Sequence, residues 1–243
     1  MVEADRGAYK CGRHGVVGCC RMRAGVQADS AEQYPVMAQF FQIHSENPQI
    51  RLVRQAVEIL RRSGLVIYPT DSCYALGCQI GDKAAMERIR RIRRLDSSHD
   101  FTLVCGDLSS ISAYAKVGNS QYRLLKALTP GPYTFILKAT HEVPRRLQNP
   151  RRKTIGIRVP NNRIVAMLLD ELREPIMSST LLLPGQDMPM TEPYEMHEVL
   201  GHDVELVIDG GNCGYVPTTV VDLVEETPLI RRTGKGDIRP LQG

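Results

Sequence analysis

The length and charge of this chain exclude few functions. Its 243 residues, of which 42% are hydrophobic, suffice for one large domain or two small ones. A formal net charge of +4 gives little reason by itself to expect a nucleic-acid partner. No apolar run approaches the roughly 20 residues that span a bilayer, and the N-terminus lacks the apolar stretch of a secretory signal. No membrane partner is therefore predicted.

The seven cysteines indicate reduced thiols in a cytoplasmic protein. Their number is odd, and no two are spaced as Cys-x-x-Cys. Cys11, His14, Cys19 and Cys20 carry side chains that zinc prefers, but their spacing matches no closed zinc pattern. No metal site is predicted.

The first 36 residues differ from the rest of the chain. Residues 1–36 contain scattered glycine, arginine and cysteine without a periodic apolar pattern, which predicts a disordered N-terminal extension. From Met37 onward helix and strand signals alternate regularly, so residues 37–243 are predicted to form one domain.

The predicted elements follow one another in a helix-and-strand order. The predicted helices are one capped by Asn47 and closed by Gly64, one after Asp82, two capped by Asp107 and Asn119, and two over 163–172 and 192–200. The predicted strands cover 65–68, 102–105, 133–138, 154–159, 204–208, 218–224 and 229–231. This order predicts an α/β fold with a twisted mixed sheet, helices packed outside it, and a basic cleft.

The clearest functional signal lies in segment 65–77. An apolar strand ends at Pro69, which has no backbone N–H to donate, and the polar side chains of Thr70, Asp71 and Ser72 follow at once. Because ligands of open α/β sheets bind where strands end, these side chains are predicted to border a cleft. There is no phosphate loop in the chain, since Gly234-Lys235-Gly236 is too short to be one.

This segment resembles a motif of the YrdC family. It reads Tyr-Pro-Thr-Asp-Ser-Cys-Tyr-Ala-Leu-Gly against the family's Tyr-Pro-Thr-Glu-Thr-x-Tyr-Gly-Leu-Gly. Similar pieces recur in order along the chain: Thr-Pro-Gly-Pro-Tyr-Thr at 129–134, Ile-Arg-Val-Pro at 157–160, Ser-Ser-Thr at 178–180 and Pro-Thr-Thr-Val-Val-Asp at 217–222. From about Met37 to the C-terminus the chain thus resembles a single YrdC-like domain, and among the branches of the family it resembles YciO most.

The resemblance implies a nucleotide site and a reaction. Members of the family condense L-threonine, bicarbonate and ATP, with or without Mg²⁺, into threonylcarbamoyl-AMP for tRNA modification, and they release pyrophosphate. The residues that the resemblance implies are Arg93 and Thr180 for catalysis, Thr70 and His99 for threonine, and Arg158, Thr219 and Arg232 for the nucleotide.

Two catalytic motifs of the family are altered in this chain. The family's Lys-x-Arg becomes Arg93-x-Leu95, and its Ser-x-Asn becomes Thr180-x-Leu182. Arg93 can still bind phosphate through its planar fork, whereas the two leucines can neither neutralise charge nor donate hydrogen bonds. Because one lost charged contact lowers a rate by about 100-fold, only weak synthase activity is predicted.

Five of the residues implied by the resemblance also have a purely structural interpretation. The hydroxyls of Thr70 and Thr219 can cap backbone groups at strand ends, and Thr180 can cap a turn. His99 can simply be exposed in a polar loop. Arg158 lies between two apolar residues of a predicted strand, so it faces away from the core and can be solvated or salt-bridged.

Two basic clusters predict an RNA-binding surface. One lies in the second helix, at 88–94, and the other in the loop at 145–153. If both clusters border one cleft, they form a groove for the phosphates of double-stranded or tRNA-like RNA. If they do not, they are only a charged surface in contact with solvent. The residues predicted to contact RNA are Arg90, Arg91, Arg94, Arg151 and Arg152. With four Phe and no Trp, a platform for stacking single-stranded bases is not predicted.

Three functions stay open on the sequence. The first is a YciO-type protein that binds nucleotide and structured RNA and retains weak synthase activity. The second is a non-catalytic RNA- or ribosome-binding protein, which the two leucines favour. The third is an enzyme that uses the same cleft for a different carbamoyl or adenylate substrate.

Overall fold

A computed structural model describes residues 37–96 and 99–241. The predicted extension over 1–36, including Cys11 and its neighbouring zinc-type side chains, lies outside the described residues. Within the described ranges, no helix has the length and apolar character that a membrane crossing requires.

One mixed sheet connects the strands of the described residues. They are β1 (Gln39–Gln42), β2 (Val66–Tyr68), β3 (Ala75–Gln79), β4 (Thr102–Val104), β5 (Ala115–Lys116), β6 (Tyr133–Ala139), β7 (Thr154–Arg158), β8 (Ile176–Thr180), β9 (Leu206–Asp209), β10 (Thr219–Asp222) and β11 (Leu229–Arg232). Their order across the sheet is β1-β9-β2-β3-β8-β4-β7-β6-β10-β11, with β5 paired to β6. Parallel pairs such as β4 with β7 adjoin antiparallel pairs such as β3 with β8, which confirms the predicted mixed sheet.

Helices cover both faces of the sheet. They are α1 (Ile50–Arg61), α2 (Lys83–Arg93), α3 (Leu108–Tyr114), α4 (Asn119–Leu128), α5 (Arg163–Leu172) and α6 (Pro193–Leu200). One apolar cluster joins α1 and α5 to the sheet residues Val66 and Tyr68. A second, larger cluster joins α2, α3, α4 and α6 to Ile67, which lies between Val66 and Tyr68 in β2. Since neighbouring strand residues point to opposite faces, the two clusters lie on opposite sides of the sheet.

The element boundaries differ from the predictions at two helix starts. Asn47 does not cap α1, because that helix begins at Ile50 with Gln49 as its N-cap. α2 begins directly after Asp82, as predicted, with Asp82 as its N-cap, and Asp107 caps α3, as predicted. Asn119 is the first residue of α4 and not its cap, which is Gly118.

Four strands were not predicted at all, and one of them, β5, has only two residues. β1 is only four residues long, and β3 and β8 contain small or hydroxyl residues such as Gly77 and Ser178 where a strand pattern would have large apolar ones. β3 and β8 lie in the middle of the sheet and are almost entirely buried, so their sequences show no alternation of apolar and polar residues. These two strands position the candidate site.

Candidate functional site

A cavity of about 290 Å³ lies over one face of the central strands. α1 and α5 cover only part of this face: their apolar cluster includes residues of β2, β3, β4, β8 and β9, and none of β6, β7 or β10 among the described residues. The floor of the cavity consists of hydroxyl side chains, namely those of Thr102, Thr134, Thr154, Ser178, Thr180 and Thr218. The site therefore lies mainly on the sheet face, whereas the sequence placed it beyond a strand end.

Three arginines from separate elements line this cavity. Arg93 is the last residue of α2, Arg158 the last residue of β7 and Arg232 the last residue of β11. Nothing in the local sequence links them, and the sheet order alone brings them together. All three were predicted as site residues, and Asp100 and Asp187 line the same cavity.

Arg158 is bound by the segment that follows β2. Its Nη2 donates to Thr70 Oγ1 (3.1 Å) and Ser72 Oγ (2.8 Å), and it forms an ion pair with Asp71 Oδ1. The side chain faces away from the core, as predicted, but it is buried and not solvated. Its Nε is buried without a hydrogen-bond partner among the described residues.

Asp71 holds three parts of the chain together; the sequence predicted that it borders a cleft but assigned it no role in the site. Its carboxylate pairs with Arg158, and Oδ2 accepts from the backbone N–H of Asn161 (2.9 Å). Its carbonyl oxygen accepts from Lys235 Nζ (2.6 Å). The sequence feature that could have identified Asp71 as a site residue is its position directly after Pro69 and Thr70, at the end of a strand. Asp71 fixes one end of the cavity, and it neutralises Arg158.

Arg93 and Arg232 are bound differently from Arg158. Arg93 Nε donates to the carbonyl oxygen of Leu182 (3.1 Å), and Nη1 donates to Ser179 Oγ. Arg232 donates through Nε and Nη2 to the carbonyl oxygen of Thr218 (3.1 and 3.0 Å). Burial lowers the pKa of both guanidinium groups. Within the described residues, the hydrogen bonds of both groups go to uncharged oxygen atoms, so neither positive charge is neutralised in this way.

His99 and Asp100 form part of the cavity wall beside Arg93. Burial, and then the charge of Arg93, lower the pKa of His99 from its usual value near 6.5, so its imidazole is neutral at pH 7. The ring packs edge-on against Phe101 with 5.6 Å between the ring centroids. Asn149 Nδ2 donates to both carboxylate oxygens of Asp100 (3.1 Å each). A neutral imidazole can accept a proton from a bound amine.

The altered catalytic motifs occupy two different environments. Thr180 and Leu182 both line the cavity, while Leu181 between them is buried in the core. Leu95 packs against the core cluster beside α2 and is not among the cavity-lining residues. Only the leucine at 182 therefore replaces a polar group at the cavity surface.

The structure places two predicted residues outside the cavity lining. Thr70 Oγ1 accepts from the backbone N–H of Cys73 (3.2 Å) and donates to its carbonyl oxygen (2.5 Å). Thr219 is fully buried, and its Oγ1 donates to the carbonyl oxygen of Gly236 (2.7 Å) and accepts from the N–H of Gly234 (3.0 Å). Both hydroxyls hold backbone, which is the structural alternative that the sequence left open.

The basic residues predicted to contact RNA fall into two groups. Arg90 is largely covered: 16% of its side chain is exposed, it pairs with Glu87 (2.7 Å), and its guanidinium lies 5.2 Å from the Phe101 ring centroid. Arg152 pairs with the buried carboxylate of Asp222 (2.7 Å). The exposed residues, with no ion pair found among the described part of the chain, are Arg91, Arg94 and Arg151.

Both basic clusters adjoin the same cavity. Arg93 of the first cluster lines the cavity, and so does Thr154, which directly follows the loop cluster. The loop is also bonded to the segment that precedes β4, since Asn149 Nδ2 donates to the carboxylate of Asp100. This arrangement is the one that a groove requires, and RNA contact stays a prediction.

The fold and the cavity define an α/β protein with three arginines lining one cavity. Residues 58–234 match the Sua5/yciO/yrdC family, which carries the description "Telomere recombination". The match covers more than half of the sequence, and the chain therefore belongs to this family.

Relatives divide into a similar and a more distant group. A Haemophilus influenzae protein is 57% identical over 84% of this chain and 99% of its own length. The crystal structure of Escherichia coli YciO is 55% identical over 84% of this chain and all of that chain, with a TM-score of 0.82. The structure of Pyrococcus abyssi Sua5 complexed with L-threonine is 26% identical over 80% of this chain and 57% of that chain, with a TM-score of 0.74. These comparisons confirm the predicted family, its YciO branch and the fold.

Proposed function

We propose that the domain over 37–243 binds ATP in the arginine-lined cavity and acts as a weak threonylcarbamoyl-AMP synthase. The observation that carries the proposal is a pair of guanidinium groups at the cavity, that of the half-buried Arg93 and that of the more exposed Arg232, whose hydrogen bonds among the described residues go to uncharged oxygens. Partial desolvation disfavours both positive charges, as their lowered pKa values indicate, and an anionic ligand would stabilise them. The Pyrococcus abyssi relative, named threonylcarbamoyl-AMP synthase, is 27% identical over 75% of this chain and 54% of that protein.

The proposed reaction joins three substrates. The threonine amine bonds to the carbon of bicarbonate and water leaves, which gives a carbamate. A carbamate oxygen then bonds to the α-phosphorus of ATP, the bond from that phosphorus to the bridging oxygen breaks, and pyrophosphate leaves. Among the described residues no group of three His, Cys, Asp or Glu side chains could hold a metal ion, so Mg²⁺ is assigned to the ATP substrate.

Each predicted residue has a place in this proposal. Arg93 and Arg232 stabilise the phosphate charges, and the Thr180 hydroxyl donates to the same groups. Neutral His99 contacts the amine of threonine. The hydroxyl of Thr70 acts indirectly, by holding Arg158 at the cavity.

The proposal also gives Thr219 an indirect role and the protein a cytoplasmic location. Thr219 acts indirectly as well, since it holds the backbone at Gly234 and Gly236, directly after the strand that ends with Arg232. The four described cysteines are free thiols, which supports a cytoplasmic location.

Pyrophosphate release tests the proposal directly. Purified protein with L-threonine, bicarbonate and ATP should release pyrophosphate slowly, and omission of any one substrate should abolish the release. Arg93→Ala should lower the rate about 100-fold, because it removes a charged contact to the transition state. The matched control is Arg51→Ala, an exposed arginine on α1, which should leave the rate unchanged. Release without threonine, or an equal effect of both variants, would contradict the proposal.

A second function is favoured by Leu182. An apolar side chain lines the cavity where the family has a polar one, which is expected of a protein that binds nucleotide or structured RNA without catalysis. In that case ATP binds, RNA binds to the exposed arginines, and no pyrophosphate is released. The pyrophosphate assay and an RNA-binding assay together distinguish the two functions.

A further inference from the structure

Exposed apolar side chains lie on two loops that border the cavity. On the loop after β8, Asp187 and Pro189 line the cavity, and Met188 between them is 60% exposed. On the loop between β9 and β10, Tyr215 lines the cavity and is 56% exposed, and the neighbouring Val216 is 39% exposed. The arginine-lined cavity therefore has an apolar rim.

Tyr215 is the aromatic residue of this rim. Among the described residues, no hydrogen bond of its side chain and no ring contact with another aromatic residue is found. Tyr74, which also lines the cavity, differs: it is buried, and its hydroxyl donates to the carbonyl oxygen of Gly211 (2.7 Å). Among the described residues the Tyr215 ring is thus fixed neither by an aromatic neighbour nor by a hydrogen bond, and more than half of the residue is exposed beside the cavity.

The cavity is small for a whole nucleotide together with an amino acid, so we expect part of the nucleotide to lie on the apolar rim. Its volume of about 290 Å³ is near the lower limit of about 300 to 1,000 Å³ for small-molecule pockets. Phosphates bound to Arg93 and Arg232, together with an amino acid beside His99, occupy the polar part. The remaining planar, weakly polar group of a nucleotide is its base, and its chemistry matches an exposed aromatic ring.

We propose that Tyr215 is the stacking surface for the base of the bound nucleotide. The inference rests on the proposed nucleotide site and adds to it a base-binding residue that the composition did not predict. Stacking uses the face that every base has, so this residue favours nucleotides over inorganic polyphosphates and distinguishes poorly between adenine and guanine.

Isothermal titration with MgATP and with magnesium tripolyphosphate tests the inference. Tyr215→Ala should weaken MgATP binding about 5- to 100-fold, the loss expected when an aromatic ring is removed from a stacked base, while tripolyphosphate affinity changes less than about twofold. Tyr215→Phe keeps the ring and should bind MgATP like the wild type. The matched control is Tyr122→Ala, since Tyr122 is an exposed tyrosine on α4 that does not line the cavity.

The outcomes separate this inference from the proposed function. Equal MgATP affinity in Tyr215→Ala and the wild type overturns the base-stacking role and leaves the nucleotide site intact. Equal losses for MgATP and tripolyphosphate also overturn it, because the residue then acts on the phosphates or on the shape of the cavity. A wild type that binds neither ligand overturns the proposed function, and this inference with it.

Discussion

Arg158 and Arg93 line the same cavity but serve different parts of the molecule. The Arg158 guanidinium is bound by Asp71, Thr70 and Ser72, so its charge is already neutralised within the protein. The Arg93 guanidinium is bound by an uncharged carbonyl oxygen and a hydroxyl. Charge alone therefore does not identify the ligand-binding arginines, since the groups that already surround each guanidinium decide its role.

The difference between Arg158 and Arg93 also predicts which variants lower the stability of the fold and which lower the affinity for an anion. Removing a partner from a buried ion pair leaves an uncompensated charge, which is strongly destabilising. Removing an arginine that has only neutral partners affects the fold less and the affinity for an anion more. Variants at the two kinds of site should therefore move different measured quantities.

The largest expected effect belongs to Asp71→Ala. The Asp71 and Arg158 side chains are 10% and 9% exposed, so this variant should lower the free energy of unfolding by about 3–5 kcal/mol. The matched control is Asp170→Ala, which breaks an exposed pair with Arg173 and should cost no more than about 1 kcal/mol. Urea unfolding measures both. Equal losses would show that the buried pair does not hold the site together.

The next effect is on anion affinity. Arg93→Ala and Arg232→Ala should each weaken magnesium tripolyphosphate binding about 10- to 100-fold, because a hydrogen bond to a charged group contributes about 1.5–3 kcal/mol. Their free energies of unfolding should change less than that of Asp71→Ala. Titration calorimetry checks the affinities, with Arg51→Ala as the exposed control. Unchanged affinity in both variants would remove the electrostatic basis of the nucleotide site.

The sequence predicted most elements and failed where burial hides the pattern. The amphipathic helices were predicted well, and α5 begins and ends at the predicted residues, because apolar side chains recur on one face. β8 was missed because its residues are buried yet include Ser178 and Ser179, so neither alternation nor a long apolar run marks it. A strand of this kind is defined by its neighbours in the sheet.

The candidate site was predicted only in part, because several of its contacts join segments that are distant in the sequence. Arg93 and Arg158 could be predicted through motif resemblance, but the pairing of Arg158 with Asp71 depends on contacts between distant segments. Arg90 was predicted to contact RNA from its place in a basic run, whereas its guanidinium lies over Phe101. Tyr215 gave no signal, since an exposed tyrosine in a loop is unremarkable until the cavity beside it is known.

A smaller effect, on the rate of pyrophosphate release, is expected from replacing the two leucines of the altered motifs. Leu182→Asn adds an amide at the cavity surface and should raise pyrophosphate release about tenfold, which corresponds to about 1.4 kcal/mol. Leu95→Arg should not raise it, because Leu95 packs against the core, and this variant should lower stability by about 1–3 kcal/mol. Enzyme assays and thermal unfolding of both variants check this. Activation by Leu95→Arg alone would place that residue at the cavity after all.

The smallest expected effect on the protein itself concerns the surface arginines. Arg91 and Arg151 are exposed, so replacing both with alanine should change the free energy of unfolding by less than about 1 kcal/mol. If each contacts one RNA phosphate, the double variant should show a slope of log affinity against log salt that is shallower by about 1.4 to 1.8.

The matched control for this double variant is Arg90→Ala with Arg152→Ala. These arginines already pair with Glu87 and Asp222, so their loss should change the salt slope less and the stability more. Changing the base sequence of a duplex RNA should have little effect in either case, because an A-form helix presents mainly phosphates and 2′-hydroxyls to a protein. Fluorescence anisotropy at several salt concentrations measures all of these slopes. A slope for Arg91→Ala with Arg151→Ala that equals the wild-type slope would mean that the exposed arginines are a solvated face, and the positive charge that matters would then be confined to the cavity.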